Sequence, residues 1–189
     1  CKSGEAENNF AATTVSITDI KPDVFKHILY YTYGGKVSDE DMKENAKDII
    51  DAADKYGIVG LKLEAEASLV TNTTITFENA IGNLLYADSK NCALLKEAVM
   101  DFIAENSKEA AHKLSFGNVP GHVIPDLLTA MNRKGSEGGT VPDTNDLNSM
   151  RVNDLRKLLH EKGLDVDGSR EMMIARLEEI TNTSNETIL

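Results

Sequence analysis

The sequence predicts a mainly α-helical protein: one short strand followed by three helices, a helical extension, and a separate small module of two helices around a turn. Three observations carry this. Apolar residues recur at helical spacing through most of the 189 residues. Only one short stretch, Val15-Ser16-Ile17-Thr18, alternates apolar and polar as a half-buried strand does. Residues 133–146 hold three glycines and a proline with almost no large apolar side chain, the composition of a flexible linker.

The elements follow in order. Asp19-Ile20-Lys21-Pro22 leads into a first helix, proline being accepted where the opening N–H groups have no helical partner. Val24, Phe25, Ile28, Leu29 and Thr32 share one face, and Gly34-Gly35 stops the run. Ser38 is the expected N-cap of a second helix, with Asp39, Glu40 and Asp41 against its positive end. Ala46, Ile49, Ile50 and Ala53 form that helix's stripe, and Tyr56-Gly57 its end. A third helix holds Leu61, Ala65 and Leu69. Thr76 is the expected cap of the next, with Phe77, Ala80, Ile81, Leu84 and Leu85 apolar. Asn91 to Glu105 repeats the pattern, a shorter helix runs through Ala110 and Leu114, and Pro120-Gly121 breaks the chain. Val123, Ile124, Leu127, Leu128 and Met131 make a last stripe. The connections are short, so neighbouring helices are expected to pack antiparallel. Beyond the linker, residues 147–180 read as two helices around a turn at residues 163–169. Residues 181–189 read as a polar, disordered tail.

Composition narrows the function. The chain carries 31 acids against 20 bases, a net charge of −11, so it does not coat nucleic acid along its whole surface and any such contact is local. No apolar run approaches the roughly 20 residues that cross a bilayer. Two cysteines, Cys1 and Cys92, build no disulfide framework, which suits a reducing compartment. The chain opens at Cys1 without a basic-then-apolar leader and reads as a piece of a longer protein. His27, His112, His122 and His160 share no metal-ligand spacing, and no glycine-rich phosphate cradle is present. No catalytic residue, cofactor site or metal site is expected, and the protein reads as a non-enzyme.

Two stretches carry family resemblances. Residues 15–26, Tyr31-Thr32-Tyr33-Gly34-Gly35-Lys36-Val37 and residues 50–62 resemble the later part of a BTB/POZ domain, that of the speckle-type POZ protein group most closely. Glu78-Asn79-Ala80 to Ala87-Asp88, and Val99 to Ile103, are similar to the three-box or BACK-like helices that follow it there. The resemblance implies a truncated α/β BTB/POZ fold, its C-terminal part only, at 1–75 and three-box/BACK-like helices at 76–132, ahead of the linker read from composition at 133–146 and a separate small helix-turn-helix module. It implies an adaptor that binds a cullin scaffold, forms a BTB homodimer in the intact protein, and presents substrates for ubiquitin transfer by other subunits. Tyr33 aligns with an aromatic placed against the cullin; the alternative is a ring that closes its helix over the core. The family's apolar-x-Glu cullin motif falls within residues 1–10, where Lys2 to Glu7 offer acids without a large apolar partner.

Residues 147–180 resemble a SAP domain. Met150, Val152, Leu155, Leu158 and Leu159 form the first stripe, Gly163-Leu164 turns the chain, and Met172, Ile174 and Leu177 pack the second helix back. The resemblance implies DNA contact through the turn and the positive start of the second helix, using Ser169 and Arg170 with Arg156 and Lys162 beside them. The segment holds six bases and seven acids, so such contact is weak and salt-sensitive, and a protein partner or a structural role are the alternatives. A linker of 14 residues reaches about 20 Å and predicts semi-independent modules. Together the resemblances imply a cullin-RING ubiquitin ligase adaptor in the nucleus and/or cytoplasm, with no membrane or small-molecule ligand. The alternative is a chromatin or transcription protein whose BTB domain only oligomerises.

Overall fold

The computed structural model describes residues 17–132 and 147–186, giving only the backbone for 129–132 and 181–186. The linker, the segment expected to hold the cullin motif, and Val15-Ser16 of the expected strand lie outside the described residues. Ile17 and Thr18 pair with no strand, and every described element is a helix.

The first three helices are α1 (Pro22–Thr32), α2 (Asp39–Tyr56) and α3 (Val59–Asn72). Helix α1 opens at the proline and buries Val24 and Ile28. Its end is a tight turn in which the Gly35 N–H donates to the Tyr30 carbonyl at 2.9 Å. A Cβ on Gly35 would lie 2.5 Å from the Tyr30 ring, so the ring rests directly on this glycine and would have to move aside for a larger residue. The Ser38 hydroxyl caps α2, accepting from the Asp41 N–H at 3.1 Å. Helix α2 bends at Asn45, whose backbone leaves helical geometry while its side-chain amide donates to the Asp41 carbonyl. It ends at Gly57 with φ +67°, where the Ile58 N–H reaches back to the Ala53 carbonyl.

The helical extension comprises α4 (Ala80–Ser89), α5 (Ala93–Glu105), α6 (Ser107–Lys113) and α7 (Ile124–Asn132). Thr76 is not the cap of α4. Residues 77–79 form a turn first, and Asn79 closes it, its side-chain carbonyl accepting from the Thr76 N–H and its amide donating to Thr74. Helix α5 begins at Ala93, since Asn91 adopts a left-handed conformation (φ 53°) and the Cys92 N–H folds back onto the Ala87 carbonyl. The α1–α7 body has one core, in which Ile49, Ile50, Leu61, Leu84, Leu95 and Ile103 are fully buried. Phe77 and Phe102 meet edge to face at its rim, 5.1 Å apart.

The last two helices, α8 (Val152–Glu161) and α9 (Arg170–Glu186), build a second core from Val152, Leu155, Leu159, Met173, Ile174 and Leu177. Two expectations change here. Met173 fills the position assigned to Met172, which is 44% exposed and lies across Gly168; helix α9 turns its 173/174/177 face inward. Helix α9 also continues to Glu186, into the segment read as a tail.

Gly57 supplies a first test. Its left-handed backbone is open to a Cβ sterically yet strained for any L side chain. Gly57→Ala is expected to lower stability by about 1 kcal/mol, read as a lower urea midpoint at unchanged slope.

Candidate functional site

The SAP-like module does not stand apart. Ala93, the first residue of α5, is 2% exposed and belongs to the module's core, and Leu94 packs against it. Around this apolar contact runs a seam of ion pairs between the module and the helical body.

Lys62 and Glu66, one turn apart on α3, are 3% and 1% exposed. The Lys62 ammonium donates to Asp54 at 2.8 Å and to Asp167 of the module at 3.0 Å. Burial works against its charge, but the two carboxylates outweigh burial and raise its pKa. Glu66 Oε1 accepts from the Leu94 and Leu95 N–H groups at 2.8 and 3.2 Å, capping α5 from another helix. Its Oε2 accepts from Arg156 Nη2 of α8 at 2.6 Å. Arg151 makes a two-pronged contact with Asp101 at 3.1 and 2.6 Å, which raises its pKa. The Val152 N–H, in the first turn of α8, donates to Glu97 at 3.1 Å. Lys96 joins Asp126 at 3.0 Å and Glu171 at 3.8 Å. Beneath the seam lies Cys92, whose thiol is pushed up to about 12, by burial first and by Glu66 second. That thiol stays protonated and unreactive.

The residues expected to meet DNA are largely occupied. Arg156 belongs to Glu66. Arg170 Nη2 donates to the Asn148 and Met150 carbonyls at 2.7 and 2.9 Å, stapling the entry of the module to α9. Ser169 acts at the start of α9: its hydroxyl accepts from the Met172 N–H at 3.4 Å and also bonds Glu171. Lys162, at the end of α8, is exposed, and its side chain engages no partner among the described residues. The turn between the helices is locked by Arg176, which donates to the Asp165 and Asp167 carbonyls and pairs with the Asp165 carboxylate at 3.1 Å. The four candidates therefore do not converge on one free basic cluster, and the docked module replaces the semi-independent one expected from linker length.

At the far end of α1 the picture is different. Tyr33 is 89% exposed, with Tyr30 at 59% and Leu29 at 42% beside it on the same helix end. The ring does not close the core. It stands in water with apolar neighbours, the kind of local patch that proteins cover with partners. Among the described residues no cluster of His, Cys, Asp and Glu is arranged to hold a metal ion, and no helix is long and apolar enough to cross a membrane.

Known proteins resemble the chain in the same two places. Residues 2–73 match the BTB/POZ domain family and residues 146–181 the SAP domain family. The chain thus combines a region similar to BTB/POZ domains with a later region similar to SAP domains, as the sequence resemblances imply. Among curated relatives, TD and POZ domain-containing protein 1 of Mus musculus is 36% identical over 97 residues, 51% of this chain and 26% of its own length. TD and POZ domain-containing protein 5 of the same species is 39% identical over 88 residues, 47% of this chain and 25% of its own. The chain thus spans about a quarter of the length of these relatives. Both families are interaction modules, not catalytic ones.

The seam gives a pH test. Burial raises the Glu97 pKa above its ordinary 4.5, so protonation favours the folded state. The stability Glu97 contributes is therefore complete below pH 4.5 and lost as pH rises through the raised value. Glu97→Gln keeps an acceptor for Val152 and removes the titration. Urea unfolding is expected to show wild type losing stability relative to the variant as pH rises above 4.5; a constant difference would contradict the assignment.

Proposed function

We propose that this protein is a non-enzymatic adaptor whose BTB/POZ body binds the N-terminal region of a cullin scaffold through the exposed end of α1, recruiting a ubiquitin ligase in the nucleus and/or cytoplasm. The single observation that carries this reading is Tyr33, an aromatic 89% exposed at the position where the resemblance places a cullin contact. Tyr30 and Leu29 widen the same patch, and a large ring with apolar neighbours is the usual core of a binding hot spot. The BTB/POZ domain supports dimerisation or other protein partners, and the intact protein is read as a BTB homodimer. Ubiquitin chemistry belongs to the other subunits of such an assembly.

The rival reading, an oligomerising chromatin protein that works through its SAP domain, draws less support. Arg156 and Arg170 serve the fold, leaving Lys162 as the accessible member of the proposed DNA set. Arg170→Glu would disturb the module's own staple, so Lys162→Glu is the cleaner probe of DNA contact.

Calorimetric titration of a cullin N-terminal domain into the N-terminally completed protein tests the proposal. Tyr33→Ala is expected to weaken binding by at least about tenfold while changing stability by less than about 0.5 kcal/mol, the ring being solvent-exposed. Absence of binding, or binding that Tyr33→Ala leaves unchanged, overturns the adaptor reading at this surface.

A further inference from the structure

Three carboxylates of the body, Asp101, Glu97 and Glu66, each occupy a donor of the SAP domain that could equally hold a phosphate oxygen. Asp101 takes both prongs of Arg151, the fork geometry by which arginine holds a phosphate. Glu97 accepts the Val152 N–H at the start of α8, the place where helix termini hold anions. Glu66 receives Arg156 in a buried pair at 2.6 Å. Of the six bases in the module, Lys157 and Lys162 alone are exposed and without an ion pair among the described residues. Docking thus consumes Arg151 at the N-cap of α8, Arg156 within it, and the helix's N-terminal N–H together.

We infer that docking onto the body is autoinhibitory: the body's acidic seam occupies Arg151, Arg156 and the N–H end of α8, and a nucleic-acid duplex competes with it for these donors of the SAP domain. The inference rests on the domain's capacity to hold phosphate and is independent of the cullin reading. Two features suit the seam to exchange. Arg156 Nε and Asp167 Oδ1 are buried there without a hydrogen-bond partner, so the closed state carries an unrecovered desolvation cost. The Arg151–Asp101 pair is solvent-accessible, with side chains 56% and 33% exposed, which gives a competing anion a place to begin. Because both partners are on one chain, closure is unimolecular, and apparent duplex affinity falls in proportion to the open fraction. Reciprocity requires that bound duplex loosen the seam by the same factor.

The test uses the whole 189-residue chain and a fluorescein-labelled AT-rich duplex of about 20 base pairs at low salt, read by anisotropy, with amide exchange at Val152 and Leu155. Asp101→Asn is expected to raise duplex affinity about threefold and Glu66→Gln about tenfold, reflecting larger open fractions. Asp23→Asn, a charge-matched change on α1 outside the seam, leaves it unaltered. Added duplex is expected to speed exchange at Val152 in the wild type. If Glu66→Gln unfolds the module, shown by lost helicity, the exposed-pair variant and the wild-type exchange decide the matter. Unchanged or lower affinity in Asp101→Asn, duplex binding without faster Val152 exchange, or no binding by any form each overturn the inference. An affinity gain matched by Asp23→Asn overturns it too, as a mere effect of net charge.

Discussion

Glu66 is the group on which the assembly turns. A carboxylate 1% exposed carries a desolvation cost of several kcal/mol unless its oxygens are filled, and here both are. One oxygen takes two backbone N–H groups at the start of α5, and the other takes Arg156 from α8. A single side chain on α3 therefore fixes where α5 begins and where the SAP domain sits. Remove the carboxylate and three things fail together: the capping of α5, the neutralisation of a buried arginine, and the alignment of Ala93 with the second core. Lys62, one turn earlier, repeats the logic with opposite charge, drawing Asp167 of the module toward Asp54 of the body.

This makes the chain's two cores interdependent. A segment of about 35 residues buries too little apolar surface to be comfortably stable alone. The body supplies what is missing, contributing Ala93 and Leu94 to the smaller core and carboxylates to its cations. The same arrangement explains how a SAP domain sits in a chain of net charge −11. Arg151 and Arg156 meet acids of the body, and its turn is held by Arg176 across Asp165 and Asp167. The exposed aromatic end of α1 takes no part in the seam and is left available to a partner.

Much of this was legible in the sequence, for identifiable reasons. Pro22, Ser38 and Gly57 each act through local geometry, and all three mark the boundaries their chemistry implies. The stripe Val152, Leu155, Leu159 was visible because helical period alone decides it. Thr76 misled because the chain makes a further turn over 77–79 before α4 begins, held by the Asn79 side chain bonding back to Thr76 and Thr74, and local pattern does not reveal that turn. Met172 and Met173 are adjacent and chemically identical, so the period could not choose between them without the register of α9. The seam was hidden for a deeper reason. Lys62 and Glu66 border the apolar stripe of Leu61, Ala65 and Leu69 at i,i+4 spacing, which is as common on a solvated face as in an interface. Charged residues interleaved in a buried stripe were the available signal. Their partners lie 90 and 105 residues away in the chain, beyond the reach of any local pattern.

The central claim is that body and SAP domain form one cooperative unit, and the chain carries a natural probe for it. All five tyrosines, at 30, 31, 33, 56 and 86, lie in the body, and there is no tryptophan. Tyrosine fluorescence therefore reports the body alone, while far-ultraviolet circular dichroism reports every helix. Urea unfolding of the full chain, followed by both signals, is the direct measurement. The structure predicts coincident transitions with one midpoint and one slope. Loss of helical signal ahead of the tyrosine transition would mean that the SAP domain unfolds on its own, and would contradict a seam that binds the two into one.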